Sequence, residues 1–146
     1  MSGTVSADPT EISQTATYTF ELDIQNMVPA DGKIVVVLPQ EGFNQVAGTD
    51  LPCAPTYGFD GSEASCTINE DGNIELTDAL PTVDFLVIFT VELTNPSYAS
   101  TFFLLVYTHD SATQIEASGS STFKVTTEPG ILSASITNLG SDVVAD

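Results

Sequence analysis

Apolar and polar positions alternate with a period of two along most of this chain. In TYTFELDIQ, Tyr18, Phe20, Leu22 and Ile24 fall on one side, and Thr17, Thr19, Glu21, Asp23 and Gln25 on the other. That is the pattern of a β-strand with one dry and one wet face. In NMVPADGK, which follows, Pro29 and the Asp31-Gly32 pair mark a turn. A second strand, KIVVVLP, is stopped by Pro39, and residues 40–61 read as loop-rich. Two short strands, ASCTIN and NIEL, are joined by EDG, where Asp71-Gly72 supplies the positive backbone angle of a tight hairpin. DFLVIFTVEL and TFFLLVYTH are the strongest strand signals, separated at TNPSYAS by Pro96, which cannot sit inside a ladder. TQIEASGSSTFKVTT reads as a weak strand pair or a single bulged strand, and Pro129-Gly130 marks a boundary before one more strand.

No segment carries apolar residues at helical spacing over three turns. About nine short strands separated by turn signals predict an all-β fold, a two-sheet antiparallel immunoglobulin-like sandwich with an extra C-terminal strand. A closed barrel is the alternative. A length of 146 residues holds one domain with one core, so residues 1–128 are assigned to the sandwich. Residues 129–146 are then a terminal strand, the start of a further repeat or a segment donated to a neighbour.

Three strands break the alternation. Val35 and Val37, Leu86 and Ile88, and Phe103 and Leu105 lie opposite the core-facing Ile34, Val36, Phe85, Val87, Phe102 and Leu104. Either the 40–61 region, with Leu51, Tyr57 and Phe59, folds over that outer face, or another subunit covers it, because apolar areas beyond a few hundred Å² are seldom left to solvent.

Charge narrows the partners. Twenty acids face only Lys33 and Lys124, for a formal net charge of −18. Such a surface repels phosphate backbones and anionic lipid, which argues against nucleic acid and direct membrane binding and in favour of cations, basic partners or a saline medium. With 42% hydrophobic residues the chain is not a disordered polar one. No basic segment followed by an apolar core stands near the N-terminus, so secretion implies either a leader already removed or an excerpt from a longer precursor.

Candidate chemistry is sparse. Cys53 and Cys66 enclose a loop with Pro55, Gly58 and Gly61 and lack metal-type spacing, which reads as a disulfide and an oxidising compartment, with two buried free thiols as the alternative. Glu70, Asp71, Asn73 and Glu75 gather at one hairpin. A hard cation such as Ca²⁺ needs about six to eight oxygens, of which these could give several, or the tip is simply solvated. His109 is the only histidine, and in HDS its neighbours point to opposite faces of a strand, so no triad is preassembled. No Trp is present to form a sugar platform. With neither a cofactor motif nor a catalytic one, the chain reads as a non-enzyme. The one near-match to an N-glycosylation acceptor, Asn95-Pro96-Ser97, is blocked by its proline, so any glycans would be O-linked.

The run ATYTFELDIQNMVPADGKIVVVLPQEGF, the cysteine pair, and VIFTVELTNPSYASTFFLLVYTHD together resemble the repeated β-sandwich units of very large secreted and surface proteins of protists, ciliates among them. The matching positions are Tyr18 and Phe20, Pro29 to Ile34, Cys53 and Cys66, Asn95-Pro96, and Tyr107 with Asp110, across about residues 15 to 125. The resemblance implies an extracellular architectural role and no active site.

The two ends of the chain resemble each other. GTVSADPTEI and GILSASITNL align without gaps: Gly3, Ser6, Ala7 and Thr10 fall on Gly130, Ser133, Ala134 and Thr137, and Val5 and Ile12 on Leu132 and Leu139. Self-similarity of this kind marks repeat arrays. The expected role is a cell-surface structural module joining its own copies head to tail, with a calcium-assisted carbohydrate- or ligand-binding adhesive module as the alternative. Val5, Ala7, Leu132, Ala134 and Ile136, with the six outer-face residues above, are the candidate contacts.

Overall fold

A computed structural model of the chain describes residues 1–60, 63–78, 80–81, 86–120 and 122–130. Among them are thirteen strands and no helix. They are β1 (Ser2–Asp8), β2 (Thr15–Asp23), β3 (Lys33–Val37), β4 (Asp50–Leu51), β5 (Cys53–Tyr57), β6 (Phe59–Asp60), β7 (Ser65–Ile68), β8 (Ile74–Thr77), β9 (Leu80–Pro81), β10 (Leu86–Thr94), β11 (Thr101–His109), β12 (Gln114–Ala117) and β13 (Phe123–Thr126). The strands fall into two antiparallel sheets, one ordered β1-β2-β10-β5 and the other β12-β11-β3-β8-β7-β4, with a two-stranded β6-β9 ribbon beside them. β13 joins the second sheet by pairing with β11. β1, β2, β10 and β5 occupy the places of strands A, B, E and D of an immunoglobulin sandwich, and β3, β11 and β12/β13 those of C, F and G. The predicted immunoglobulin-like sandwich is therefore the observed architecture.

Alternation explains the two layers. Along β2 the inward Ala16, Tyr18, Phe20 and Leu22 are buried while Thr15, Thr17, Glu21 and Asp23 are exposed. Along β10, Val87, Phe89, Val91 and Leu93 are buried, and along β11, Phe102, Leu104, Val106 and Thr108. On the inner face of the first sheet the cross-strand partners Phe20 and Phe89 stack with centroids 5.0 Å apart, and Phe43 meets Tyr18 of that sheet and Phe102 of the other edge-on at 6.0 and 5.6 Å. Aromatic pairs of this kind add roughly 0.5–1.5 kcal/mol each beyond the area they bury.

The weak stretch after β11 resolves as one strand position in two halves. β12 pairs with β11 from Tyr107 to His109 and β13 from Thr101 to Leu104, and the Ser118 N–H still donates to the Val106 carbonyl between them. The 40–61 region holds more structure than expected: β4, β5 and β6 lie in it. Two of its aromatics turn inward, Phe43 into the core and Phe59 against Phe89 at 6.2 Å, while Tyr57 is exposed and lies opposite Ile88 in the register of β5 and β10.

The two long sides of the sandwich are closed differently. On one side β1 approaches β13, where Gly3 lies under the Phe123 ring. On the other the chain leaves β4 in the second sheet, turns at Pro52, and enters β5 in the first. Cys53 of β5 is bonded there to Cys66 of β7, with Cα atoms 6.1 Å apart. The pairing expected from sequence is present and ties one sheet's edge to the other.

Candidate functional site

β1 sets a direction. It runs antiparallel to β2 from Ser2, opposite Asp23, to Asp8, opposite Thr17, with Gly3, Val5 and Ala7 on the core side facing Leu22, Phe20 and Tyr18. Their burial is only partial, as suits a strand at the sheet edge. A Cβ at Gly3 would come within 2.1 Å of the Glu21 carbonyl oxygen and 2.9 Å of the Phe123 ring, so only glycine fits this close approach.

At the opposite end of β1 the chain meets its own exit. Glu128 forms a parallel bridge with Glu11. Its N–H donates to the Thr10 carbonyl, its carbonyl accepts the Ile12 N–H, and its carboxylate accepts the Thr10 hydroxyl at 3.0 Å. β13 and β1 therefore run the same way, and Gly130 lies beside Ile12. The chain starts at the Gly3 end of β1 and departs beyond its other end, beside Ile12; β1 itself, Ser2–Asp8, spans about 20 Å at roughly 3.4 Å of rise per strand residue.

One buried side chain fixes this exit. The Asn95 carbonyl accepts the Tyr18 hydroxyl, and its amide donates to the carbonyls of Pro9 and Glu11 at 2.9 and 2.7 Å. Both Asn95 and Tyr18 are buried, and burial pushes the Tyr18 phenol far above its ordinary value, so it remains a neutral donor. The Pro9–Ile12 loop that clasps Glu128 thus hangs from a core carboxamide. In sequence Asn95 stands out as a blocked acceptor for sugar and as part of the Asn95-Pro96 pair of the resemblance, with no structural role attached. The signal that could have found its role is the Asn-Pro pair at the end of a strongly apolar strand, where a buried amide can satisfy loop carbonyls.

The acidic hairpin is organised internally. Asn69 Oδ1 accepts the N–H groups of Asp71 and Asn73, and Gly72 has φ 81°, so the predicted turn is present. Asn73 Oδ1 accepts the Leu38 N–H. Glu75 Oε1 accepts Lys33 Nζ at 2.8 Å and Oε2 accepts the Asn69 amide at 2.9 Å. Burial alone would raise the Glu75 carboxyl, but these hydrogen bonds and the Lys33 charge outweigh it and hold it below the usual range. Glu70 and Asp71 stay at the exposed tip. Among the described residues no group of three or more His, Cys, Asp or Glu side chains converges as a cation site.

His109 ends β11, its Nδ1 against the Asp110 backbone carbonyl and its ring beside Tyr107. The Asp110 carboxylate accepts the N–H groups of Ala112 and Thr113, which hold it below its usual value. HDS is thus a strand end running into a turn.

The six outer-face residues do not form one patch. Leu86 and Ile88 belong to the first sheet, and Val35, Val37, Phe103 and Leu105 to the second, so they point to opposite sides of the molecule. The periodicity of each strand is legible in sequence, but its sheet is not. Leu86 is 41% exposed and Phe103 48%, whereas Val35 is buried between Tyr107 and Glu75 of adjacent strands. Leu132, Ala134 and Ile136, and the predicted terminal strand with them, lie outside the described residues.

No family model matches this chain, and no curated protein does. Among solved structures, the crystal structure of ACE19, the collagen-binding subdomain of the Enterococcus faecalis surface protein ACE, aligns over 86% of this chain and 97% of that one, with 11% identity and a TM-score of 0.44.

Proposed function

We propose that this chain is a non-catalytic extracellular structural module that joins copies of itself end to end, in a tandem array or a filament at a cell surface. The observation that carries the reading is the placement of the chain's start and exit at opposite ends of one sandwich, with the exit held by the Glu128 clasp. A module so built adds the next unit along its own axis. Units related by such a step make a heterologous contact that does not close on itself, which gives an open array.

Three further features support it. The terminal stretch repeats the sequence of β1, as the first strand of a next unit would. A disulfide between the two sheets suits an oxidising, mechanically exposed setting. The strongly acidic surface suits a protein working in salt among cations. The test is particle shape: negative-stain images and small-angle scattering of the concentrated protein should give rods of constant cross-section that lengthen with association. Compact clusters, or monomers at every concentration, would contradict the reading.

A further inference from the structure

We propose that the segment Gly130–Leu139 of one copy occupies the β1 position of the next copy, lying along that copy's β2 in the register Gly130 opposite Leu22, Leu132 opposite Phe20 and Ala134 opposite Tyr18. This deepens the end-to-end reading and rests on it, naming the acceptor site and its occupant.

Polarity excludes the segment's own domain. β1 begins at the Gly3 end and finishes near Ile12, whereas Gly130 is held beside Ile12 by the Glu128 clasp. To take β1's place with β1's direction inside its own sandwich, Gly130 would have to lie at the far end of the strand it imitates. In a copy stacked on the Ile12 end, the start of that place is directly ahead of it.

The side chains match the site position by position. Gly130 aligns with Gly3, the position where a Cβ meets the Glu21 carbonyl at 2.1 Å. Leu132 replaces Val5 at a partly buried inward position, and Ala134 replaces Ala7. Thr137 aligns with Thr10 and keeps the hydroxyl that donates to Glu128, so the acceptor's own exit clasp is rebuilt by the incoming strand. Each junction then prepares the next.

The two glycines separate this proposal from a general association of ends. Among the described residues a Cβ at Gly130 in its own domain meets only Ile12 Cγ1 at 3.9 Å, an ordinary contact. In the acceptor the same Cβ would take the Gly3 position and strike backbone. Gly130→Ala should therefore leave the unfolding midpoint unchanged and reduce joining at least ten-fold. Gly3→Ala weakens a copy's hold on its own β1 and should increase joining.

The readout is a disulfide between full-length chains. Ser6 and Thr19 are register partners, so Ser133 in the β1 position would face Thr19 of the acceptor. A mass-tagged Thr19→Cys variant mixed with an untagged Ser133→Cys variant and oxidised should give a mixed disulfide-linked dimer. The link should be lost with Gly130→Ala and absent when Ser135→Cys replaces Ser133→Cys. Thr19→Cys with Ser6→Cys in one chain should link within the chain. Rod-shaped association without the Thr19–Ser133 link, or a link untouched by Gly130→Ala, would overturn the assigned site and leave the end-to-end reading standing. Absence of both link and association would overturn the two together.

Discussion

Replacing Asn95 by Ala removes the carboxamide that ties the core to the exit loop. The Tyr18 hydroxyl would be left buried without its partner, at a cost of about 1–3 kcal/mol. The bonds to the Pro9 and Glu11 carbonyls contribute about 0.5–1.5 kcal/mol each, because water can reach that partly exposed loop once the amide is gone. The expected loss is about 3–4 kcal/mol, large against a domain stability of roughly 5–15 kcal/mol. Denaturant titration measures it, and amide exchange locates it: the Ile12 and Glu128 N–H groups should exchange faster relative to the β2–β10 ladder. Tyr18→Phe in the Asn95→Ala background removes the stranded hydroxyl, so the double variant should cost less than the sum of the singles by about 1–2 kcal/mol. A loss under about 1 kcal/mol, or unchanged exchange at Ile12 and Glu128, would refute the reasoning that Asn95 holds the exit.

Other expectations follow from the same geometry. Cys53→Ser with Cys66→Ser should cost about 2–4 kcal/mol and loosen β5 and the β7-β4 end of the second sheet first, read by unfolding midpoint and exchange; an unchanged midpoint would mean the clip is redundant. Glu75 has a lowered folded-state pKa, so its contribution is present above the ordinary glutamate value and lost as pH falls through the folded one. Glu75→Gln should accordingly destabilise by under about 1 kcal/mol at pH 7, and in acid titrations of both proteins the difference should shrink and vanish as the pH falls through the lowered folded-state pKa. With a net charge of −18, association should weaken at low ionic strength, where repulsion reaches beyond the roughly 10 Å it spans at 0.1 M salt, and should return on adding salt or divalent cations; light scattering unaffected by desalting would contradict this.

Strand identity was legible wherever one face is dry. The alternation in TYTFELDIQ and TFFLLVYTH placed Tyr18, Phe20, Leu22, Phe102 and Leu104 inward correctly; the buried Thr108, which was not singled out, continues the same inward period of β11. Partnership between strands was not legible, because periodicity fixes a face and carries no information about which distant strand is paired. β10 and β11 are consecutive and similarly apolar, yet they lie in opposite sheets, which splits the apparent outer patch in two. Two-residue strands such as β4 and β6 are shorter than any period, so the 40–61 region read as loop while Phe43 and Phe59 were filling the core. The cysteine pair was legible because spacing and composition agree. The exit clasp was not, because its bonds are made mostly by backbone groups and by Thr10, Asn95 and Glu128, which lie far apart in sequence.

The central claim is that the sandwich is complete without its terminal segment and uses that segment to reach the next copy. A chain ending at Glu128 tests it most directly, with thermal unfolding and sedimentation velocity measured on the same sample. The account predicts an unfolding midpoint equal to that of the full chain and a species that stays monomeric at concentrations where the full chain associates. A midpoint that falls by several degrees while association persists would contradict it, and would place the terminal strand in its own core.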